Sequence, residues 1–388
     1  MYILIVARGY PSFRYKLNGL FEYDQARALA RAGHKVVYAA VDLRSIRHPR
    51  KWGRESFSKD GVCVEAMNLP AGRIAPHFLH EINKKALLRL YRGIEKKFGR
   101  PDVVHAHFIR MSYAALELCE KENLPLVGTE HFSAFNQEDI SARIRNWGRY
   151  TYPRLDRVIA VSSHLATSLQ EKFLIDPLVI PNVVDTEVFS LDKEGDRNEE
   201  EGTFTFISTG RLSEEKRMDW LILAFHEAFD EKEQMRLVIF GDGPQKERLK
   251  KKIVDLGEKD RIFLRGVAER QEIAEKMKKS QAFVLASRGE TFGLAYIEAL
   301  AAGLPVIASR CGGPEDFIHE QNGIILKEDT PRALKEALFD MANNIGRYDR
   351  EAISREVSDK FSSGAIAAQL GEVYAQVVAE HKVQKASY

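Results

Sequence analysis

Two carboxylates, Glu290 and Glu298, stand with seven residues between them in the stretch 287–309. The apolar run 282–286 reads as a buried strand just before them. Gly293 opens a helix that closes near Gly303, and residues 305–309 begin the next strand. Glu290 therefore falls in a loop and Glu298 in the first two turns of a helix. In open parallel sheets, ligands bind beyond the carboxyl ends of the strands. Ionised carboxylates only accept hydrogen bonds, so they suit a ligand rich in hydroxyls. They do not suit phosphate: two like charges at about 4 Å repel by ~4 kcal/mol even at an effective dielectric of ~20. Amides around Phe292–Leu294, at the helix start, can meet a polar ligand. The pair reads either as contacts to a sugar and a ribose or as solvated surface acids.

If the pair reads sugars, phosphates need cations elsewhere. Residues 204–209 read as a strand, followed by Gly210-Arg211 and then Lys216 on a predicted helix over 215–228. Gly210 permits the turn. Arg211 offers a planar fork to phosphate oxygens and Lys216 a compact charge. Ser213 is a candidate N-cap. Gly241-Asp242-Gly243-Pro244 also leaves a strand and opens a helix with Pro244 in its first turn. It serves equally as a tight strand-to-helix turn. Arg265-Gly266-Val267 could pass a backbone edge along a nucleobase. Gly312-Gly313-Pro314-Glu315 permits close backbone approach, with Cys311 incidental beside it.

These elements need two sheets to hold them. The 388 residues suit two domains, and 44% hydrophobic with 29% charged content is ordinary for a soluble globular chain. Strands read at 3–7, 35–41, 62–67, 103–106, 126–129 and 158–161, with helices between them, most clearly 19–31 and 79–97. A polar stretch, 191–202, reads as a linker or surface loop after Pro181-Asn182. A second alternation follows, with strands at 204–209, 236–240, 262–264, 282–286, 305–309 and 323–326. Helices read at 215–228, 245–256 and 269–279, and a last amphipathic helix at about 362–383. Apolar strands alternating with helices argue for parallel sheets covered on both faces, an α/β chain of two doubly wound domains.

No apolar run approaches a membrane span, and the N-terminus reads as a first strand rather than a signal peptide. Three cysteines, in no metal spacing, point to a reducing cytosol. The net charge of +2 conceals an asymmetry: residues 1–182 sum to +10 and the remainder to −8. Arg44, Arg47, His48, Arg50, Lys51 and Arg54, with Trp52, concentrate the positive charge. This segment is either a solvated loop or a patch for an anionic membrane surface, where the helix from Leu79 would join it. Nucleic acid is a poor partner, since no nucleic-acid motif accompanies the charge. His105 and His107 alternate on a strand end, but no third ligand suggests a metal.

Together, Gly210-Arg211…Lys216, Gly241-Asp-Gly-Pro244, Glu290…Glu298 running into Gly303-Leu-Pro-Val, Gly312-Gly313…Glu315 and Pro181-Asn182…Asp185 resemble the family 4 glycosyltransferases. These are retaining enzymes of the GT-B fold that use nucleotide-sugar donors. The resemblance covers nearly the whole chain. It implies two Rossmann-like domains facing a central cleft: 1–182 on the acceptor side, joined by the C-terminal helix of about 362–388, and 183–361 on the nucleotide side.

By the same resemblance, Arg211 and Lys216 hold the donor diphosphate, Glu298 the ribose and Glu290 the donor sugar. The backbone of Thr291, Phe292, Gly293 and Leu294 completes the pocket, with Gly210, Gly241, Gly243 and Val267 around the nucleotide. Gly19 belongs to a loop that closes near the phosphates. His131, in Gly128-Thr-Glu-His-Phe-Ser, lies near sugar and acceptor. Glu130, His107 and Ser162 are acceptor-side candidates. Three departures stand out: the loop at Gly19 lacks paired glycines, and Val183 and Thr291 occupy positions where glycine is common.

The implied reaction moves a sugar from a nucleotide-diphosphate sugar to an acceptor hydroxyl with retention. It needs no metal or other cofactor. Uridine is the commonest base of the family, with guanosine and adenosine open. The acceptor is expected to be a glycan or lipid-linked species of surface polysaccharide or glycolipid synthesis, with the enzyme cytoplasmic or peripheral on the inner membrane face. A nucleotide-sugar epimerase on the same architecture and a non-catalytic nucleotide-sugar sensor are the alternatives. A dehydrogenase fits worse, because no Gly-x-Gly-x-x-Gly follows the first strand.

Overall fold

The computed structural model describes residues 1–16, 18–48, 50–71, 76–137, 139–191, 202–230 and 234–386. The predicted linker at 191–202 lies almost wholly outside them. The chain divides into two compact units, Met1–Val183 with Ser363–Tyr388, and Val184–Ser362.

The first unit runs β1 (Tyr2–Ala7), α1 (Leu20–Arg31), β2 (Lys35–Arg44), β3 (Gly53–Lys59), β4 (Val62–Pro70), α2 (Pro76–Phe98), β5 (Val103–His107), α3 (Phe108–Glu122), β6 (Leu126–Glu130), α4 (Ala142–Thr151), β7 (Arg157–Ala160), α5 (Ser163–Phe173) and β8 (Leu178–Val179). Its sheet order is β3-β4-β2-β1-β5-β6-β7-β8. All pairs are parallel except β3 with β4. Without the β3 edge, the order from β4 to β7 is the doubly wound 3-2-1-4-5-6 arrangement, whose chain direction reverses between β1 and β5. β1 is wholly apolar apart from its tyrosine hydroxyl and β5 apolar apart from His105 and His107, since both faces are covered, and every residue of these strands is buried.

The second unit runs β9 (Phe204–Thr209), α6 (Met218–Ala228), β10 (Met235–Phe240), α7 (Lys246–Asp255), β11 (Ile262–Gly266), α8 (Arg270–Lys279), β12 (Ala282–Leu285), α9 (Leu294–Ala301), β13 (Val306–Ala308), β14 (Gly323–Ile325), α10 (Pro331–Asn343) and α11 (Arg350–Phe361). The order β11-β10-β9-β12-β13-β14, all parallel, repeats the same topology. The switch here lies between β9 and β12.

The final helix, α12 (Ser363–Ala386), packs in the first unit. Ile366, Ala367, Leu370, Tyr374 and Val377 join Ala26 and Leu29 of α1 in one buried cluster. Tyr374 also reaches the sheet, its hydroxyl 2.6 Å from His105 Nδ1.

Four local expectations need correction. The basic segment 44–54 is not an open patch. Arg44 ends β2, and Arg44 and Arg50 both turn onto the buried Asp42, their guanidiniums over Tyr15 and Tyr10. Arg54 lies in β3 and donates to the Arg89 carbonyl at 2.7 Å. Arg47, His48 and Lys51 remain outward. The predicted helix 215–228 is broken: Glu214–Lys216 is a 3-10 turn, Arg217 takes φ +47°, and α6 begins at Met218. Ser213 makes no side-chain cap there. Pro244 precedes α7 instead of sitting in its first turn.

Candidate functional site

In the second unit, β9 and β12 flank the topological switch, and the loops leaving them carry Gly210-Arg211 and Ser287–Glu290. Lys216, from the first loop, forms an ion pair across this crevice with Glu290, from the second. Ser287 Oγ donates to the same Glu290 oxygen at 2.7 Å. The Arg288 amide donates to Glu215 O at 2.7 Å, lacing the two loops together. Arg211 is exposed and, among the described residues, its guanidinium has no carboxylate partner.

Backbone contact fixes the glycines of these loops. Gly241 has φ +142°, and a Cβ there would stand 1.8 Å from Gly210 O; at Gly243 it would stand 2.4 Å from Leu212 O. The Leu212 amide donates to Asp242 O and the Gln245 amide to Leu212 O, each at 3.0 Å. Gly241-Asp-Gly-Pro244 is thus a brace that sets the Gly210-Arg211 loop, and close approach explains its glycines.

The Glu290 loop is braced from its other side. The Glu290 amide donates to Cys311 O at 2.7 Å, and the Gly313 amide to Glu290 O at 3.0 Å. A Cβ on Gly313 would meet Phe292 Cα at 2.5 Å, and one on Gly293 would meet Pro314 Cγ at 2.7 Å. Gly293 takes φ +96° and leads into α9. Phe292 is buried against Phe317 and Phe361, so only its backbone can face a ligand. Thr291 and Leu294 are half-buried. Burial pushes the Cys311 thiol up to about 12, with the Glu290 charge adding to the effect, which makes it a poor nucleophile.

Glu298 lies on α9, and its Oε1 accepts from Arg270 Nη2 at 2.8 Å. Arg270, the first residue of α8, was not singled out in the sequence. It follows the exposed Val267 beyond β11. Only the sheet order, which carries α8 back to α9, brings it to Glu298. The second unit therefore holds two acid–base pairs, Lys216–Glu290 on the loops after β9 and β12 and Arg270–Glu298 on helices α8 and α9, with Arg211 exposed.

In the first unit, Gly19 takes φ +68°, and a Cβ there would meet Gly9 O at 2.3 Å. The Tyr38 hydroxyl donates to Gly9 O at 2.8 Å, so this loop is tied to β2. His131 follows β6. Its Nε2 lies 3.0 Å from His107 Nδ1, and its ring stacks against Phe21 and tilts against Phe108.

Two acceptor-side candidates change role, and a third lies out of reach. Glu130 is 1% exposed and cannot meet an acceptor. Its Oε1 accepts from the His131 and Phe132 amides, each at 2.9 Å, and its Oε2 from the Ile109 amide and the Tyr152 hydroxyl, each at 2.8 Å. Ser162 is fully buried and caps α5 by accepting from the Leu165 amide at 3.1 Å. The Ser-Ser-His-Leu start of that helix was the overlooked signal. His107 is also fully buried, behind His131.

Burial lowers the histidines' affinity for protons, His105 and His131 to about 3 each. An unfolded chain takes up these protons below about pH 6.5, whereas the folded one does not. Stability is therefore full above pH 6.5 and falls as pH drops toward 3. At about pH 5 each of the two should cost ~2 kcal/mol. Thermal unfolding of the first unit should shift down markedly between pH 7.5 and 5; an unchanged midpoint would contradict neutral, buried rings.

The doubly wound topology of both units is the one that the sequence resemblance implies. The family profile "Glycosyltransferase Family 4" matches residues 22–188, and "Glycosyl transferases group 1" matches residues 191–355. An uncharacterised glycosyltransferase of Methanocaldococcus jannaschii is 31% identical over 267 residues, covering 67% of this chain and 71% of that one. The chain belongs to family 4 of the glycosyltransferases. The GtfA subunit of a UDP-N-acetylglucosamine–peptide N-acetylglucosaminyltransferase from Streptococcus pneumoniae is 27% identical over 66% of this chain. The chain matches about half, 52%, of that relative's length. The fold is GT-B: HepE of Anabaena, solved with UDP and glucose, superposes with a TM-score of 0.73 at 18% identity, covering 97% of this chain and 100% of that one.

Proposed function

We propose that this protein transfers a sugar from a UDP-sugar to a hydroxyl of a glycan or lipid-linked acceptor, with retention at the anomeric carbon. The observation that carries the reading is the Lys216–Glu290 pair spanning the β9/β12 switch, with Arg211 open beside it. The difficult step is expulsion of a diphosphate as positive charge develops on the sugar ring. Arg211 and Lys216 stabilise that leaving group, and Glu290 orients the sugar by accepting from its hydroxyls. Fixed charges aimed at developing charge are usually the largest catalytic contribution. Glu298, held by Arg270, faces the ribose. The leaving phosphate takes the acceptor proton, in keeping with a site that offers no activated nucleophile. His131, buried and neutral, positions reactants and is not the general base.

UDP is favoured because the pneumococcal relative's name carries a UDP-sugar and HepE was solved with UDP. An acceptor on a membrane would meet only Arg47, His48 and Lys51 of the basic segment, since the other cations are engaged. The test is a thermal-shift screen of UDP, GDP and ADP followed by NMR of the product from the matching nucleotide sugars. A nucleotide at 100 times its Kd stabilises by about 2.7 kcal/mol. Stabilisation by UDP and acceptor-dependent release of UDP are expected. An epimerised nucleotide sugar formed without acceptor, or tight binding with no turnover, would replace the transferase reading.

A further inference from the structure

The first unit carries a convergence of charge that the donor chemistry does not use. Arg8 leaves β1, Arg110 lies in the first turn of α3 directly after β5, and Arg143 lies in the first turn of α4, which follows β6. β1, β5 and β6 are adjacent, and β1/β5 is the switch point of this sheet. The three arginines therefore gather at the carboxyl edge, where doubly wound sheets bind ligands.

The helices set their spacing. Arg110 and Tyr113 share one face of α3, and Arg143 and Trp147 share one face of α4. The Tyr113 and Trp147 rings stack with centroids 5.7 Å apart and planes at 27°. The two arginines sit one turn nearer the sheet edge on these paired faces. Arg8 is held there by Glu22, 3.4 Å from its Nε, and by the Phe108 ring, 3.8 Å from its Cζ. Phe108 takes φ +65°, a strained conformation for this residue, and its ring lies 4.9 Å from that of His131.

Among the described residues, neither Arg110 nor Arg143 has a carboxylate partner, whereas Lys84 nearby has Glu117 at 3.3 Å. Arg110 keeps its contact with solvent, and partial desolvation, then the charges of Arg8 and Arg143, lower its proton affinity. Burial also lowers His80, packed 3.7 Å from Trp147, to about 4, and the charges of Arg110, Arg143 and Lys84 add to this. Arg8 has Glu22, whereas Arg110 and Arg143 come together without a carboxylate among the described residues, an arrangement that suits an anion. A carboxylate fills one guanidinium fork; a phosphate presents enough oxygens for forks arriving from several strands.

We propose that this surface binds a phosphate group carried by the acceptor, with Arg110 and Arg143 as its ligands and Arg8 on the side of His131. Calling the ligand an acceptor rests on the transferase reading; the phosphate site itself does not. Tyr113 and Trp147 then flank the saccharide that bears the phosphate.

The test uses the full chain. Glucose 1-phosphate and inorganic phosphate are titrated calorimetrically, and phosphatidylcholine vesicles with and without polyprenyl phosphate are used for co-sedimentation. At least one phosphate probe should bind the wild-type protein. Arg110→Gln/Arg143→Gln should weaken that binding at least about tenfold, the loss of one charge-assisted contact. Arg211→Ala/Lys216→Ala should leave it unchanged. Binding of the soluble probes points to a free sugar phosphate, and binding of the polyprenyl vesicles alone to a lipid-borne one; either supports the site. Failure of every probe with wild type, normal binding by the double glutamine variant, or loss only in the Arg211/Lys216 variant would overturn it. UDP affinity, measured in parallel, should be unaffected by the glutamine changes. Absence of nucleotide binding in wild type counts against the transferase reading and not against the phosphate site.

Discussion

Lys216→Ala is expected to lower kcat by about 10²–10³-fold while leaving the protein folded, the loss typical of removing one preorganised group from developing negative charge. The size follows from the site. Lys216 is fixed by Glu290 across the switch crevice before any substrate arrives, so its charge costs no reorganisation when the diphosphate departs. Arg211 and the helix-start amides remain, which keeps the loss below complete inactivation. Stability should change little. When the lysine is removed, Glu290 keeps Ser287 Oγ as a donor and, at 14% exposed, some contact with solvent. The effect should fall on kcat more than on KM, because the charge it answers is largest in the transition state. Steady-state kinetics on a variant with unchanged circular dichroism decides the matter. A folded Lys216→Ala protein with near-normal kcat would remove the lysine from the leaving-group site.

The sheets were legible because buried parallel strands are continuous apolar runs, and both units have them. β3 was not. Its residues, Gly53 to Lys59, are polar, since an edge strand covers only one face, and Glu55 and Phe57 alone are half-buried there. The same blindness made the basic segment look open: Arg44 and Arg50 find Asp42 only when β2 and the following turn fold back. The break at Arg217 left no mark in the sequence because a non-glycine residue at positive φ carries no signature.

In the site, acids and cations could be read by type, whereas their partners could not. Arg270 meets Glu298 through strand order, which periodicity does not reveal. Gly241 and Gly243 stood out in the sequence as special positions. Close approach to the Gly210–Leu212 carbonyls, rather than contact with a ligand, is the physical reason the structure supplies. A motif can thus mark a functional loop through the residues that brace it.

Glu130 gives the largest expected effect on stability. Glu130→Ala should destabilise the first unit by about 3–5 kcal/mol, because several buried donors lose their acceptor at once. Its carboxylate accepts from three backbone amides and one tyrosine hydroxyl, drawn from the start of α3, the loop after β6 and the turn after α4. Each donor left without a partner in the interior costs about 1–3 kcal/mol, and water entering the vacated space limits the sum. Burial raises the carboxyl's affinity for its proton even against four opposing donors, and those donors lose their acceptor with the substitution. Glu130→Gln should cost less, about 1–3 kcal/mol. Its oxygen can still serve His131 and Phe132, and Tyr152 can rotate its hydroxyl to accept from the new amide, which leaves only the Ile109 amide unmet. Urea unfolding with an unchanged m value reads the difference directly. The order alanine, glutamine, glutamate in rising stability is specific to an internal anchor. If Glu130 instead served an acceptor, both variants would unfold like wild type and lose only turnover.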